Sequence, residues 1–248
     1  MFEEHLSYLD QCHYTPITVT RFVKAITHSK DELPPRPIVI TFDDAYADFY
    51  TNALPALQRH NFVATLYVPT AFISSTSRWL EPIGEGSRPM LTWLQLAEIR
   101  ASGIECGAHS HTHQPLDMLP LSVAREEIVC SKEVLEEYLG QQVTTFAYPY
   151  GFYSASVRQI VQDAGYSSAC AVRLTRSSLQ DDLYALARIA IRLNTTVQAL
   201  ETALAGRGPL VSSSVQQACA RIRQNARSMY GGIWSGWRAI YQGRLVRQ

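Results

Sequence analysis

The chain has 248 residues, 46% of them hydrophobic, with 22 Lys+Arg against 22 Asp+Glu. This suits one large domain with a substantial core, and the balanced charge names no partner and gives no sign of a nucleic-acid-binding surface. Five cysteines, at positions 12, 106, 130, 170 and 219, are odd in number and lack C-x-x-C spacing, which argues for reduced, mostly buried thiols instead of a disulfide framework.

In chain order, residues 1–10 read as a helix with Phe2, Leu6 and Leu9 on one face. Short β-rich runs follow at 38–42, 64–68, 104–108, 144–147, 168–172 and 186–193, separated by helical periods or turn signals, an alternation that predicts α/β architecture. Thr92 is placed to cap a helix over 93–101, Ser122 one that runs through Ile128, Leu135 and Leu139 to Gly140, and Ser154 one that stops at Gly165. Residues 70–91 form a long connection rich in Ser, Gly and Pro, the kind that is often functional. In it Trp79, with Arg78 or Arg88, reads either as a sugar platform or as a loop anchor. After Glu201 no Asp, Glu or Lys occurs and every basic residue is arginine. Val215, Cys219, Ile222, Ala226 and Met229 keep helical spacing there, followed by an aromatic, glycine-rich end. This segment reads as a terminal helix and tail, or as a contact with an anionic membrane surface or protein partner. No basic leader precedes an apolar run, and nothing approaches the roughly 20 apolar residues of a membrane span.

The chemistry concentrates in three places. Thr41-Phe42-Asp43-Asp44 ends a β-branched run in two carboxylates. Neighbouring strand residues point to opposite faces, so both acids enter one site only if the strand ends and the chain turns; one could then bind a metal while the other stays free as a base. His109-Ser110-His111-Thr112-His113 places three histidines in five residues after another apolar run. His109 with His113, or His109 with His111, could share an ion. Phe146-Ala147-Tyr148-Pro149-Tyr150-Gly151 runs a strand into a turn that could expose a backbone N–H to an oxyanion.

Together these residues resemble the motifs of the polysaccharide deacetylase family, also called the NodB-homology or carbohydrate esterase 4 family: Thr41 to Asp44 the first, His109-Ser110-x-x-His113 the second, and Tyr148 to Gly151 a variant of the third. The resemblance spans roughly residues 38–192. It implies a distorted (β/α) barrel of about seven strands instead of the standard eight, and metal-dependent removal of N- or O-acetyl groups from a polysaccharide or cell-envelope glycan. By motif position Asp43 would be the base, Asp44, His109 and His113 would hold a divalent metal, zinc being the expected ion, a metal-activated water would be the nucleophile, and the Tyr150 N–H would meet the oxyanion.

Four departures accompany it. Ala45 stands where the family has glycine, a mild change if its φ is negative. Ala147 stands where an arginine usually braces the catalytic aspartate, so Arg188 is expected to pair with Asp43 in its place. Leu186-Ala187-Arg188 replaces the usual Leu-x-His, and no histidine follows His113, so Asp43 is expected to serve as both base and acid. The chain also starts on a helix that the family usually precedes with a strand. The barrel is therefore assigned to residues 1–205, lacking its first strand if the start is incomplete, and the Arg-rich helix and tail to 206–248. Reduced cysteines point to the cytoplasm and the family to an extracytoplasmic site, so localisation stays open. The alternatives are an amide hydrolase of the same fold acting on a small molecule, and a catalytically silent glycan-binding or assembly protein.

Overall fold

A computed structural model describes residues 1–28, 32–172 and 180–206, all within one unit, Met1–Leu210. Seven parallel strands form its centre: β1 (Thr15–Ile17), β2 (Pro37–Val39), β3 (Thr41–Phe42), β4 (Thr65–Val68), β5 (Glu105–Ala108), β6 (Thr145–Ala147) and β7 (Ser168–Cys170). β1 pairs with β2, and β3 to β7 pair in sequence order. β2 and β3 are one continuous run interrupted at Ile40, whose carbonyl accepts from Thr65 N–H. The result is the curled parallel sheet of a partial (β/α) barrel, as the family resemblance implied.

The helices are α1 (Phe2–Gln11), α2 (Val19–Thr27), α3 (Leu54–Arg59), α4 (Trp93–Ala101), α5 (Leu121–Leu139), α6 (Ala155–Asp163) and α7 (Val197–Leu204). Local chemistry sets several ends: Thr92 and Gln95 form a reciprocal capping box on α4, Ser154 accepts from Val157 N–H at the start of α6, and Gly140 ends α5 with φ 64°. α5 starts two residues earlier than Ser122 suggested, because Pro120 occupies its cap position and Leu121 is already helical.

Strand parity divides the barrel into two layers. Leu66, Val68, Cys106, Ala108, Phe146 and Ala169 lie in the large apolar cluster that also contains the buried residues of the surrounding helices. Their alternates, Tyr67, Ala147 and Cys170, belong to a smaller inner cluster with Leu186 and with Val19 and Val23 of α2. α2 closes one end of the barrel through its N-terminus: Val19 N–H donates to Thr65 Oγ1 (3.1 Å), Thr20 N–H to Glu105 Oε2 (3.3 Å), and the Thr20 and Thr144 hydroxyls are 2.9 Å apart. Gly107 gives Tyr67 room to lie across the interior, since a Cβ there would come within 2.6 Å of the Tyr67 ring.

Three expectations change. The run 186–193 does not form a strand: Leu186 makes a single parallel bridge to Cys170, and Ile191 and Leu193 are 48% and 94% exposed, so no sheet face holds that segment. β1 and α2 were not read from sequence; β1 is three residues long and contains Pro16, which masks any strand signature. The 70–91 connection is folded into two 3₁₀ turns, Thr70–Phe72 and Arg78–Ile83, tied down by bridges Tyr46–Met90 and Thr76–Pro89. Cys12, Cys106, Cys130 and Cys170 form no disulfide with one another. No helix among the described residues is long and apolar enough to cross a membrane. The Arg-rich segment read as helix and tail lies, from residue 207 on, outside the described residues.

Candidate metal centre and active site

The inward parity of the strands leads directly to the site. Thr41, Thr65, Tyr67, Thr145, Ala147 and Cys170 face the barrel interior, and the next inward positions beyond the strand ends are Asp43, His109 and Arg188. Asp44 would by the same rule face outward. It does not, because the strand stops at Phe42 and both Asp44 (φ 74°) and Ala45 (φ 55°) turn into the left-handed region. The expected turn after the two carboxylates is therefore present, at a cost: Ala45, fully buried, takes the conformation that glycine adopts without strain. Its replacement of glycine is not the mild change that a negative φ would have made it.

Asp44 Oδ1 lies 3.4 Å from His109 Nε2 and 3.1 Å from His113 Nε2, and the two Nε2 atoms are 3.3 Å apart. Donor atoms about 2.0–2.1 Å from a shared ion stand about 3.0 Å apart in an octahedral arrangement and about 3.4 Å in a tetrahedral one. These three atoms thus fit one face of a divalent ion's coordination shell, and they are the one such His/Cys/Asp/Glu group among the described residues. His109 Nδ1 is 2.8 Å from the Ala147 carbonyl, which holds the proton on Nδ1 and leaves the Nε2 lone pair facing the cluster. His113 follows a second left-handed residue, Ser110 (φ 60°), and is itself left-handed (φ 56°). His111, the ambiguous member of the triplet, turns away to Thr70 Oγ1, 2.7 Å from its Nδ1.

The titration of these groups follows from the packing. Burial would raise the Asp44 carboxyl, but the two imidazoles outweigh it and hold it far below the ordinary carboxylate range. Burial lowers both histidines; in His109 the Asp44 and Asp43 carboxylates reverse this and the net direction is upward, while in His113 burial prevails. The neighbouring His109 adds to burial in holding His113 down.

Asp43 is held differently. Arg188 Nη1 and Nη2 donate to its two carboxylate oxygens at 2.7 and 2.9 Å, and Nη1 also reaches Thr41 Oγ1 at 3.2 Å. Arg188 thus arrives at Asp43 from the segment after β7, where Ala147 cannot serve. Beneath it lies the Tyr67 ring, 5.6 Å from the guanidinium carbon, with its hydroxyl anchored to Thr145 Oγ1 (2.9 Å) and Cys170 Sγ (3.2 Å). Burial pushes the Asp43 carboxyl upward, Arg188 and then His109 pull it down more strongly, and the net direction is below the ordinary value. Its side chain is still 33% exposed, so the carboxylate is ionised and reachable.

Tyr150 sits in the Pro149–Gly151 turn at φ 60°, with its ring edge-on to His113 at 4.8 Å. The turn is closed by Gly151 N–H to the Tyr148 carbonyl (2.8 Å) and Phe152 N–H to the Pro149 carbonyl (3.3 Å). A Cβ on Gly151 would come within 2.3 Å of Val172, so glycine is required there. Trp79 is 8% exposed and packs against His113 (4.8 Å), Phe72 (4.8 Å) and Tyr46 (6.0 Å). It anchors the loop against a metal-ligand candidate instead of offering a face to a sugar; Arg88 stacks on Tyr46, 3.8 Å from its centroid, and Arg78 joins neither contact. Sequence reasoning missed Glu127, buried beneath the histidine loop, although an acid in phase with Ala124, Ile128, Ser131 and Leu135 on the inner stripe of α5 was a readable signal.

Known proteins resemble this chain in sequence and fold. The family model described as Polysaccharide deacetylase matches residues 30–169. The Bacillus subtilis (strain 168) protein YxkH, named for the same family, is 26% identical over 190 residues, covering 77% of this chain and 63% of its own. The poly-β-1,6-N-acetyl-D-glucosamine N-deacetylase of Staphylococcus epidermidis is 25% identical over 203 residues, covering 77% and 66%. The chain thus spans about two-thirds of the length of these curated relatives. Among solved structures, the Streptococcus pyogenes deacetylase PplD in complex with acetate superposes with a TM-score of 0.70 at 26% identity, over 82% of this chain and 85% of that one. IcaB from Ammonifex degensii matches in fold with the same TM-score at 23% identity, over 82% and 87%.

Proposed function

We propose that this chain, which belongs to the polysaccharide deacetylase family, hydrolyses acetamide groups on a glycan rich in N-acetylhexosamine, such as a cell-envelope polysaccharide. One observation carries the reading: two adjacent carboxylates enter one site and are held by opposite kinds of partner, Asp43 by the fork of Arg188 and Asp44 by two facing imidazole nitrogens. The names of the S. epidermidis and PplD relatives, a poly-N-acetylglucosamine deacetylase and a deacetylase bound to acetate, support the substrate class.

In this reading Asp44, His109 and His113 hold a divalent ion, with zinc suited to two imidazoles and a carboxylate, and that ion supplies Lewis acidity that lowers the pKa of water and polarises the acyl carbonyl. Asp43 accepts the proton of the attacking water. Arg188 fixes its rotamer and keeps it ionised beforehand. The Tyr150 backbone N–H is assigned to the developing oxyanion. As the C–N bond breaks, the Asp43 carboxyl returns the proton to the sugar nitrogen, since no histidine stands at Arg188; acetate and a free amine leave.

The test is acetate release from N-acetylglucosamine oligomers and from an acetylated envelope glycan by the zinc-loaded protein. Release from polymer supports the reading. Release only from small amides points to a small-molecule amide hydrolase. Glycan binding with no release, unaltered by Asp43→Asn, points to a silent binding protein.

A further inference from the structure

Glu127 is fully buried on α5, in line with apolar residues, where a carboxylate needs a specific reason. Its reason is the histidine loop. His111 N–H and Thr112 N–H both donate to Glu127 Oε2, at 3.0 and 2.7 Å, and the Thr112 hydroxyl donates to Oε1 at 2.5 Å. These residues lie between His109 and His113, in a stretch with left-handed backbone at Ser110 and His113 and therefore without regular secondary structure to occupy its donors. Two further bonds lie within the same stretch: His113 N–H donates to Ser110 Oγ at 3.0 Å, and Gln114 Nε2 to Thr112 Oγ1 at 3.1 Å. A carboxylate that collects two consecutive peptide N–H groups and a hydroxyl fixes the path of that stretch. The separation of the two Nε2 atoms, 3.3 Å, depends on the same path.

From these contacts we infer that Glu127 is a positioning residue for the metal centre: it sets the conformation of residues 109–113, so that His109 and His113 face each other before any ion arrives. It acts through the peptide N–H groups of His111 and Thr112 and through the Thr112 hydroxyl. This assignment rests on the metal-dependent reading above, and predicts that losing the clamp weakens ion binding even where the fold survives, because the ligands must then be ordered at the expense of binding.

The experiment is competition for zinc between a chromogenic chelator and metal-free protein, with wild type, Glu127→Gln and Thr112→Val, alongside circular dichroism and thermal unfolding of the metal-free forms. Gln keeps the shape of Glu127 but offers a donor where the Thr112 hydroxyl needs an acceptor; Thr112→Val removes one of the three bonds and serves if the Gln variant does not fold. The zinc Kd is expected to rise about tenfold or more in Glu127→Gln and about threefold in Thr112→Val, in proteins whose far-UV spectra match wild type. Folded variants that bind zinc within twofold of wild type, with only a lower Tm, would reduce Glu127 to a stabilising residue and overturn the assignment. A wild type that takes up no zinc would instead overturn the metal-dependent reading, and the assignment with it.

Discussion

The two faces of the barrel strands differ in chemistry, and the difference separates what folds the protein from what the protein does. Outward positions are apolar and packed: Leu66, Val68, Cys106, Ala108, Phe146 and Ala169 meet the helices. Inward positions are largely polar and paired: Thr65 with Glu105 at 2.6 Å, Tyr67 with Thr145 and Cys170, then Asp43 with Arg188 at the rim. A parallel barrel can hold such groups because its interior is closed by side chains, here by α2 from one end, and the strand ends are left for function. Stability is thus expected to respond to the outer layer and chemistry to the inner rim.

The outer layer is probed most strongly at Phe146, which is fully buried and packs edge-on and tilted against Tyr148 (5.5 Å) and Tyr166 (5.2 Å). Phe146→Ala is expected to cost about 3–5 kcal/mol in urea unfolding, with the folded fraction keeping its zinc Kd; a shifted Kd at unchanged stability would show that the layers are not separable. At the rim the expected pattern reverses. Arg188→Ala should lower kcat/KM about 10- to 100-fold and move the acid limb of its pH profile upward, because burial is then the dominant influence left on Asp43 and raises its carboxyl. Arg188→Lys should fall between, restoring charge without the two-point fork. An unchanged rate and acid limb in Arg188→Ala would remove Arg188 from the machinery.

Acid stability sharpens the same contrast. Asp44 has a folded value lowered from its ordinary 3.8. A depressed carboxyl contributes stability that is fully present above the unfolded value and is lost as pH falls through the folded one. Metal-free wild type should therefore lose stability below about pH 4, with a shallower loss in Asp44→Asn; parallel urea-midpoint curves for the two would contradict this. The smallest effect belongs to Ala45→Gly. Relief of the left-handed strain is offset by lost methyl burial and by a more flexible unfolded chain, so stability should change by less than about 1 kcal/mol. A loss above about 2 kcal/mol would mean that packing outweighs strain there.

Much of this was legible in the sequence for a physical reason. Asp43, Asp44, His109 and His113 lie beside short strands whose β-branched or apolar runs mark them, and Arg188 could be matched to Asp43 because the expected brace was missing at Ala147. Five of the six predicted runs became strands, since five of them pair with buried neighbours; 186–193 failed because only Leu186 reaches a partner strand. What stayed hidden depends on the third dimension. The sign of φ at Ala45 is decided by the need to turn Asp44 inward. The burial of Trp79 depends on Phe72, Tyr46 and His113 arriving around it. Glu127 looked like one acid among several on α5 until the loop it clamps was in place.

In the proposed function the two neighbouring carboxylates divide the labour, and zinc content measured together with acetate release in Asp43→Asn and Asp44→Asn separates their roles. Asp43→Asn is expected to keep about one zinc per chain while acetate release falls by about 100-fold or more, and Asp44→Asn to lose the zinc and the activity together. Equal zinc loss in both variants, or full turnover in Asp43→Asn, would contradict it.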